Sequence, residues 1–325
     1  MTNAMLARNC ILPERKHGGS RLRGAKVLIT GAEGMLGYAC RAVLANDYPT
    51  TSVHAYGRQF LDVTRRDTVL ALRSQDFNFI IHCAAVTNAD DCEVFQDYCY
   101  ETQVQGTRNL LELAVASRAK VFYPQTFLIF DGSDNEIDEN TTPNPLSVYA
   151  KYKLEAERQI LASQVESTVV RMAGFFGGDE RDKNFVGKFT RHLASMIKDG
   201  TNTYAVGNRI WQPTYTVDLA RNSLLLLDQG CDGVWNMASD GEVSFFNIAR
   251  ECVRLLRLED RIRIVPAQQQ QINNEDVAVR PERAVLSNAR LRKHGLYFQR
   301  HWQEALAEYL NRPWFRSLFP HAPFQ

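Results

Sequence analysis

The sequence has no surplus of charge of either sign. Its 325 residues carry 38 Lys and Arg against 37 Asp and Glu, a formal net charge of +1. That balance offers no global field to nucleic acid or to an anionic membrane surface. The densest basic stretch, Arg15 to Lys26, reads as a solvated tail. Long apolar runs are also missing. The longest aliphatic run is Leu224–Leu227, against the roughly 20 residues of a membrane span. The N-terminus has no continuous apolar stretch of the kind a secretory leader needs. Seven cysteines occur, an odd number at irregular spacings with no Cys-x-x-Cys pair. That excludes a disulfide framework or a structural zinc site as the simplest reading and favours reduced thiols in the cytoplasm. The expectation is a cytoplasmic protein with no metal, no nucleic-acid partner and no membrane partner. With 45% hydrophobic and 23% charged residues, the chain can bury a sizeable core.

What is present is an alternation. Lys26–Thr30, Ser52–Tyr56, Phe79–Cys83, Lys120–Tyr123 and Thr168–Arg171 read as short strands. Between them Met35–Ala45, Asp67–Ser74, Tyr98–Ser117 and Tyr149–Leu161 read as helices. Apolar strands alternating with helices over about 150 residues predict an α/β fold, a Rossmann-type doubly wound parallel sheet. Beyond Arg171 the pattern loosens. Helices are expected over Phe185–Lys198, Asp218–Leu227 (capped by Asp218), Ser244–Leu256 (capped by Ser244) and Trp302–Asn311, with a strand at Val234–Met237. The Gln- and Asn-rich stretch from Ala267 to Asn274 reads as a loop. The expected division is a flexible extension, 1–24, a dinucleotide-binding domain, 25–172 with 206–241, and a smaller C-terminal substrate-binding lobe, 173–205 with 242–325.

Gly31-Ala32-Glu33-Gly34-Met35-Leu36-Gly37 follows the first strand and opens the first helix. In that place Gly31 allows a tight turn, Gly34 a close backbone approach to a pyrophosphate, and Gly37 close helix–strand packing. The helix N-terminus presents free N–H groups and the positive end of its dipole to phosphate. At the end of the second strand stands Tyr56-Gly57-Arg58, with no acid. An arginine there suits a 2′-phosphate, so the expected cofactor is NADPH, with NADH as the lesser choice. Tyr149 and Lys153, four apart on a helix, lie on one face. Tyrosine is a proton donor whose pKa near 10 an adjacent ammonium would lower. Thr126, at the carboxyl end of the fourth strand, faces the expected crevice and suits a hydrogen bond to a reacting oxygen.

Together these motifs resemble the extended short-chain dehydrogenases/reductases. Thr126-Phe127-Leu128-Ile129-Phe130-Asp131-Gly132 resembles the T-D-Y-V-F-D-G motif of dTDP-4-dehydrorhamnose reductases. His82–Glu93 resembles their N-A-A-A-Y-T-x-V-D-x-A-E stretch. Gln212–Ala220 resembles their G-x-P-T-Y-x-x-D-L-A, and Arg280-Pro281 a late R-P pair. The resemblance runs from about residue 25 to 310. It implies an NADPH-dependent reduction of a 4-keto-6-deoxy nucleotide sugar. Tyr149 would donate the proton, Lys153 would support Tyr149 and the ribose, and Thr126 would bond the keto oxygen. Gly31, Glu33, Gly34, Met35, Leu36, Gly37, Arg58, Asp62, Val63, Ala84 and Ala85 would line the cofactor site with Tyr149 and Lys153. Thr87, Thr126, Asn184, Trp211, Thr214 and Arg280 are the substrate-side candidates, Trp211 having packed aromatic as its plain alternative. Relatives of this kind often form homodimers.

Four positions depart from the family pattern. Gln125 stands for Ser, Phe127 for Asp, Gln103 for Asn and Ala150 for Gly. None removes a proton donor, but Phe127 makes the substrate side more apolar. Two other readings stay open at this level. One is a dinucleotide-binding regulatory subunit resembling the beta subunit of methionine adenosyltransferase. The other is a nucleotide-sugar epimerase.

Overall fold

The computed structural model describes residues 19–267 and 277–320. Cys10, most of the expected extension and all of the expected Gln-rich loop but its first residue lie outside the described residues.

Six strands form one parallel sheet: β1 (Lys26–Thr30), β2 (Ser52–Tyr56), β3 (Phe79–His82), β4 (Lys120–Thr126), β5 (Ser167–Met172) and a sixth, Gly233–Met237. The spatial order is Gly233–Met237, β5, β4, β3, β1, β2. Every neighbouring pair is parallel. β3, β5 and most of β1 and β4 are buried. Burial on both faces explains why they read as continuous apolar runs instead of an alternation. The strand order reverses beside β1, with β2 on one side and β3 on the other, so a crevice opens there at the carboxyl ends.

Helices cover both faces. α1 (Met35–Asp47) packs with the helix Thr216–Asp228 through Leu36, Val43, Leu44, Leu219 and Leu227. On the other face, α2 (Arg66–Leu70) and the long helical stretch Gln96–Ser117 carry Val69, Leu110 and Leu113 against Leu28 and Ile80. That stretch widens to a π-helical turn at Glu101–Gln105. Gly106 follows it at a point where a β-carbon would lie 2.7 Å from Val63 Cγ2. The helix Val148–Ala162 is capped by Ser147, whose hydroxyl accepts from Ala150 N. Its Glu157 meets Arg171 of β5 at 2.6 Å in a buried ion pair.

The second lobe has its own core. The helices Phe185–Lys198, Phe245–Leu255 and Trp302–Leu310 bury Val186, Phe189, Leu193, Ile248, Cys252, Leu306 and Tyr309 together. Ser244 caps the second of these as expected. Three expectations need correction. Asp218 is not a cap: its helix begins at Thr216, and the carboxylate is spent on Arg300 at 2.9 and 3.0 Å. Residues 19–24 are docked, not loose, because Leu22 is fully buried and both Ser20 Oγ and Leu22 N donate to Asp228. Part of 242–325 also belongs with the sheet: Leu291 and Leu296 lie in the core around β1 and α1.

Candidate active site

The glycine loop closes as its spacing requires. Gly31 has φ +62°, and a β-carbon there would stand 2.6 Å from Ala84 N and 2.7 Å from Cys83 O. The turn after β1 therefore lies directly against the loop after β3. A β-carbon at Gly37 would stand 2.4 Å from Gly31 O, so the helix can approach only with glycine there. Gly34 begins α1 with no side-chain cap, which leaves the first-turn amides to an incoming anion. At Gly34 the nearest neighbour of a β-carbon is Gly31 O at 3.3 Å. An open cradle over a helix N-terminus at the sheet's switch point fits a dinucleotide pyrophosphate. Met35 and Leu36 are buried in the first turn. The side chain of Glu33 is exposed and reaches toward Gly57.

Around this cradle stand the other expected cofactor residues. Asp62 Oδ1 accepts from Thr64 N and Thr64 Oγ1 at 3.0 and 2.8 Å, forming the turn after β2. Val63 is buried and its carbonyl accepts from Asn109 Nδ2 at 2.8 Å. Arg58 is exposed, stacks on the Tyr98 ring at 4.9 Å and bonds the Tyr98 hydroxyl. Ala84 and Ala85 line the loop after β3.

That loop is gripped from below. Gln103 Oε1 accepts from Val86 N at 3.0 Å, and its Nε2 donates to Val86 O at 2.9 Å and to Cys99 Sγ at 3.3 Å. The π-helical turn is what directs Gln103 there. Deeper still, Thr107 Oγ1 donates to Gln103 O at 2.6 Å, so its hydroxyl oxygen is left to accept from His82 Nε2 at 3.2 Å. His82 Nδ1 then accepts from the Thr30 hydroxyl at 3.0 Å, and Thr30 Oγ1 accepts from Ala84 N at 3.2 Å. Burial drives the His82 pKa down to about 3, with the Lys153 charge adding to it. The imidazole is neutral and sits in a fully paired chain. In the sequence it opens the His82–Glu93 stretch but is assigned no role; the other signal is a polar residue ending the apolar run Phe79-Ile80-Ile81-His82.

Tyr149 lies at the start of its helix, buried, with the side chain of Thr126 nearby. Thr126 Oγ1 accepts from Leu128 N at 3.2 Å and caps the short turn Phe127–Ile129. Burial pushes the Tyr149 phenol above its ordinary pKa, and the nearby Cys92 and Cys99 push the same way while Thr126 opposes them. The expected lowering by Lys153 is therefore corrected. Lys153 Nζ instead donates to Pro124 O at 2.7 Å and lies over the Tyr123 ring at 3.9 Å. Burial lowers the Lys153 pKa to about 7. Gln125, the residue found where the family pattern has Ser, ties the two elements: its Nε2 donates to Lys153 O at 2.9 Å and its Oε1 accepts from Thr126 N at 2.8 Å.

The substrate-side candidates divide. Thr87 is exposed on the loop after β3. Asn184 Nδ2 donates to Phe175 O at 2.7 Å, and the residue begins the helix Phe185–Lys198. Trp211 is 4% exposed and stacks on Phe245 at 4.9 Å with an interplanar angle of 3°. Its indole N–H has no hydrogen-bond partner among the described residues. Gly174 admits it, since a β-carbon there would lie 2.6 Å from Trp211 Cε3 and 3.6 Å from Phe127 Cε1. Phe127 and Trp211 thus share one apolar wall. Thr214 does not face a ligand: it is 0% exposed, donates to Gln212 O and accepts from Ser239 N, both at 3.0 Å. Arg280 forms a two-pronged pair with Asp90 at 3.0 and 2.9 Å. Asp90 Oδ1 also accepts from Val277 N and Ala278 N, so one carboxylate holds the 277–280 segment beside the Tyr149 cluster. Among the described residues no group of three or more His, Cys, Asp or Glu side chains could hold a metal ion, and no helix is long and apolar enough to cross a membrane.

A parallel doubly wound sheet, with a glycine-rich turn at its switch point and a buried tyrosine, Tyr149, at the start of the helix Val148–Ala162, defines a Rossmann-type dinucleotide-binding protein of the reductase/epimerase class. A family model described as the RmlD substrate binding domain matches residues 25–314, and the chain belongs to that family. A dTDP-4-keto-6-deoxy-D-glucose reductase of Streptomyces niveus is 30% identical over 286 residues, 86% of this chain and 95% of that protein. The crystal structure of a dTDP-4-dehydrorhamnose reductase from Clostridium acetobutylicum is 31% identical with a TM-score of 0.80, covering 88% of this chain and 98% of that one. The dTDP-4-dehydrorhamnose reductase of Bacillus anthracis, solved in complex with NADP, has the same TM-score of 0.80 and coverages of 88% and 98% at 24% identity.

Proposed function

We propose that the protein is an NADPH-dependent reductase of a 4-keto-6-deoxy sugar carried on a nucleotide diphosphate. The observation that carries this reading is the buried Tyr149 at the start of its helix, set beside Thr126 at the carboxyl edge of the sheet, one helix turn from Lys153. In this reading both hydroxyls meet the substrate carbonyl oxygen. A dinucleotide held there would supply the hydride for C4. Tyr149 gives its proton to the oxygen that becomes an alkoxide, completing the alcohol, and recovers it from solvent. Its raised pKa keeps the phenol protonated across the neutral range, which is the form reduction needs. Thr126 donates to the same oxygen and orients it. Lys153, held by Pro124 O, borders the ribose side. The glycine loop and α1 hold the pyrophosphate. Phe127 and Trp211 supply an apolar wall on the sugar side.

The same reading carries a cytoplasmic location and a homodimer, tested by fractionation and light scattering. Its central test is a screen of 4-keto nucleotide sugars with NADPH, followed at 340 nm. Oxidation of NADPH with at least one of them is expected. Tight NADPH binding with no turnover on any would favour a regulatory dinucleotide-binding role instead.

A further inference from the structure

The end of β2 carries no acid of its own, although a carboxylate there is the usual partner of the ribose hydroxyls in an unphosphorylated dinucleotide. The fold brings one in from the glycine loop. Ala32 N donates to Tyr56 O at 3.1 Å, which fixes that loop against the end of β2. The Glu33 side chain then lies across Gly57. A β-carbon at 57 would stand 2.3 Å from Glu33 Cδ, and 2.6 and 2.5 Å from its two carboxylate oxygens. Only a residue without a side chain leaves the carboxylate this place. Gln59 Nε2 donates to Glu33 Oε1 at 3.4 Å and borders it on the far side. From the same turn Arg58 extends to the Tyr98 hydroxyl and ring, 3.8 Å from Asp62. A carboxylate and a guanidinium thus flank Gly57 just beyond β2, the place at which folds of this class read the adenosine ribose.

We propose that Glu33 and Arg58 read the 2′ position of that ribose in opposition, and that Glu33 sets how far the protein accepts NADH beside NADPH. This rests on the dinucleotide site described above. The Glu33 carboxylate accepts from a free 2′-hydroxyl and repels a 2′-phosphate. Arg58 pairs with the phosphate and gains little from the hydroxyl. Both side chains stand in solvent, so each effect is moderate and weakens with added salt.

The test is direct binding, independent of any sugar. Full-length protein and the variants Glu33→Gln and Arg58→Gln are titrated with NADPH and NADH, read by nicotinamide fluorescence. Both exchanges are exposed and near in size, so folding is spared. The wild type is expected to bind both dinucleotides. Glu33→Gln should tighten NADPH and weaken NADH, moving the ratio of the two dissociation constants about tenfold toward NADPH. Arg58→Gln should move it the other way, and 0.5 M salt should compress both shifts. A ratio unchanged in Glu33→Gln, or moved toward NADH, overturns the role of Glu33 while leaving the dinucleotide site standing. A wild type that binds neither dinucleotide overturns the site itself, and this inference with it.

Discussion

Lys153 donates its ammonium proton to the carbonyl of Pro124 at 2.7 Å and lies over the ring of Tyr123, with its pKa lowered by burial to about 7 from an ordinary 10.5. The sign of the consequence follows from proton counting. Between about pH 7 and 10.5 the unfolded chain keeps this proton and the folded chain does not, so stability rises with pH across that window. Below it both states are protonated and the slope vanishes. The rise is at most about 1.4 kcal/mol per pH unit. Lys153→Met should flatten it. Denaturant unfolding at pH 7, 8 and 9 measures this; equal slopes in the two proteins would mean the ammonium is not desolvated. The same variant should also weaken NADPH binding.

Tyr149→Phe removes the phenol hydroxyl and leaves the ring in its pocket. Turnover is expected to fall by about 10²–10⁴, with the NADPH dissociation constant changed less than about threefold. Thr126→Val should cost less, because Tyr149 keeps its proton and loses only its orienting partner. Stopped-flow NADPH oxidation separates the two effects. Near-normal turnover in Tyr149→Phe would reject it as the donor.

Much of this site could be read without coordinates, because its parts are local. The glycine spacing, the Tyr149–Lys153 interval and the apolar strand runs each encode geometry within one turn or one strand. Helix Phe185–Lys198 kept its expected ends. What escaped is what depends on a distant partner. Asp218 reads as a cap but serves Arg300, 82 residues on. Arg280 reads as a substrate contact but is joined to Asp90, 190 residues away. Thr214 reads as a ligand contact but closes a turn against Ser239. Lys153 reads as a direct neighbour of the phenol, yet a backbone carbonyl of β4 takes its ammonium. In each case the residue type announced a hydrogen bond, and only the packing decided with whom.

Asp90 and Arg280 should behave as one unit. Each is partly buried, at 30% and 20% side-chain exposure, and Asp90 also holds two backbone amides of the 277–280 segment. Asp90→Asn and Arg280→Gln are each expected to raise KM for the nucleotide sugar several-fold with NADPH affinity kept. The double variant should be little worse than either. A double-mutant cycle on kcat/KM is expected to return a coupling of about 1 kcal/mol or more. Additive losses would mean that Arg280 meets the substrate directly.

His82 ties the floor of the cofactor crevice through a chain whose proton directions are forced. Thr107 gives its hydroxyl proton to Gln103 O, so His82 must carry its proton on Nε2 and accept at Nδ1 from Thr30. Thr30 in turn receives Ala84 N–H, in the loop that meets Gly31. With the pKa near 3, the ring stays neutral above about pH 4. The unfolded chain takes up the proton near pH 6.5, so this residue makes stability rise with pH between about 3 and 6.5. ¹⁵N spectra of the imidazole should therefore show a protonated Nε2 and an unprotonated Nδ1 from pH 5 to 8, with no titration. His82→Leu strips partners from two buried hydroxyls and is expected to cost about 1–3 kcal/mol. It should also flatten the acid limb of the stability curve and loosen NADPH binding. An imidazole that titrates near pH 6.5, or a Leu variant as stable as wild type with an unchanged acid limb, would break the chain at its centre.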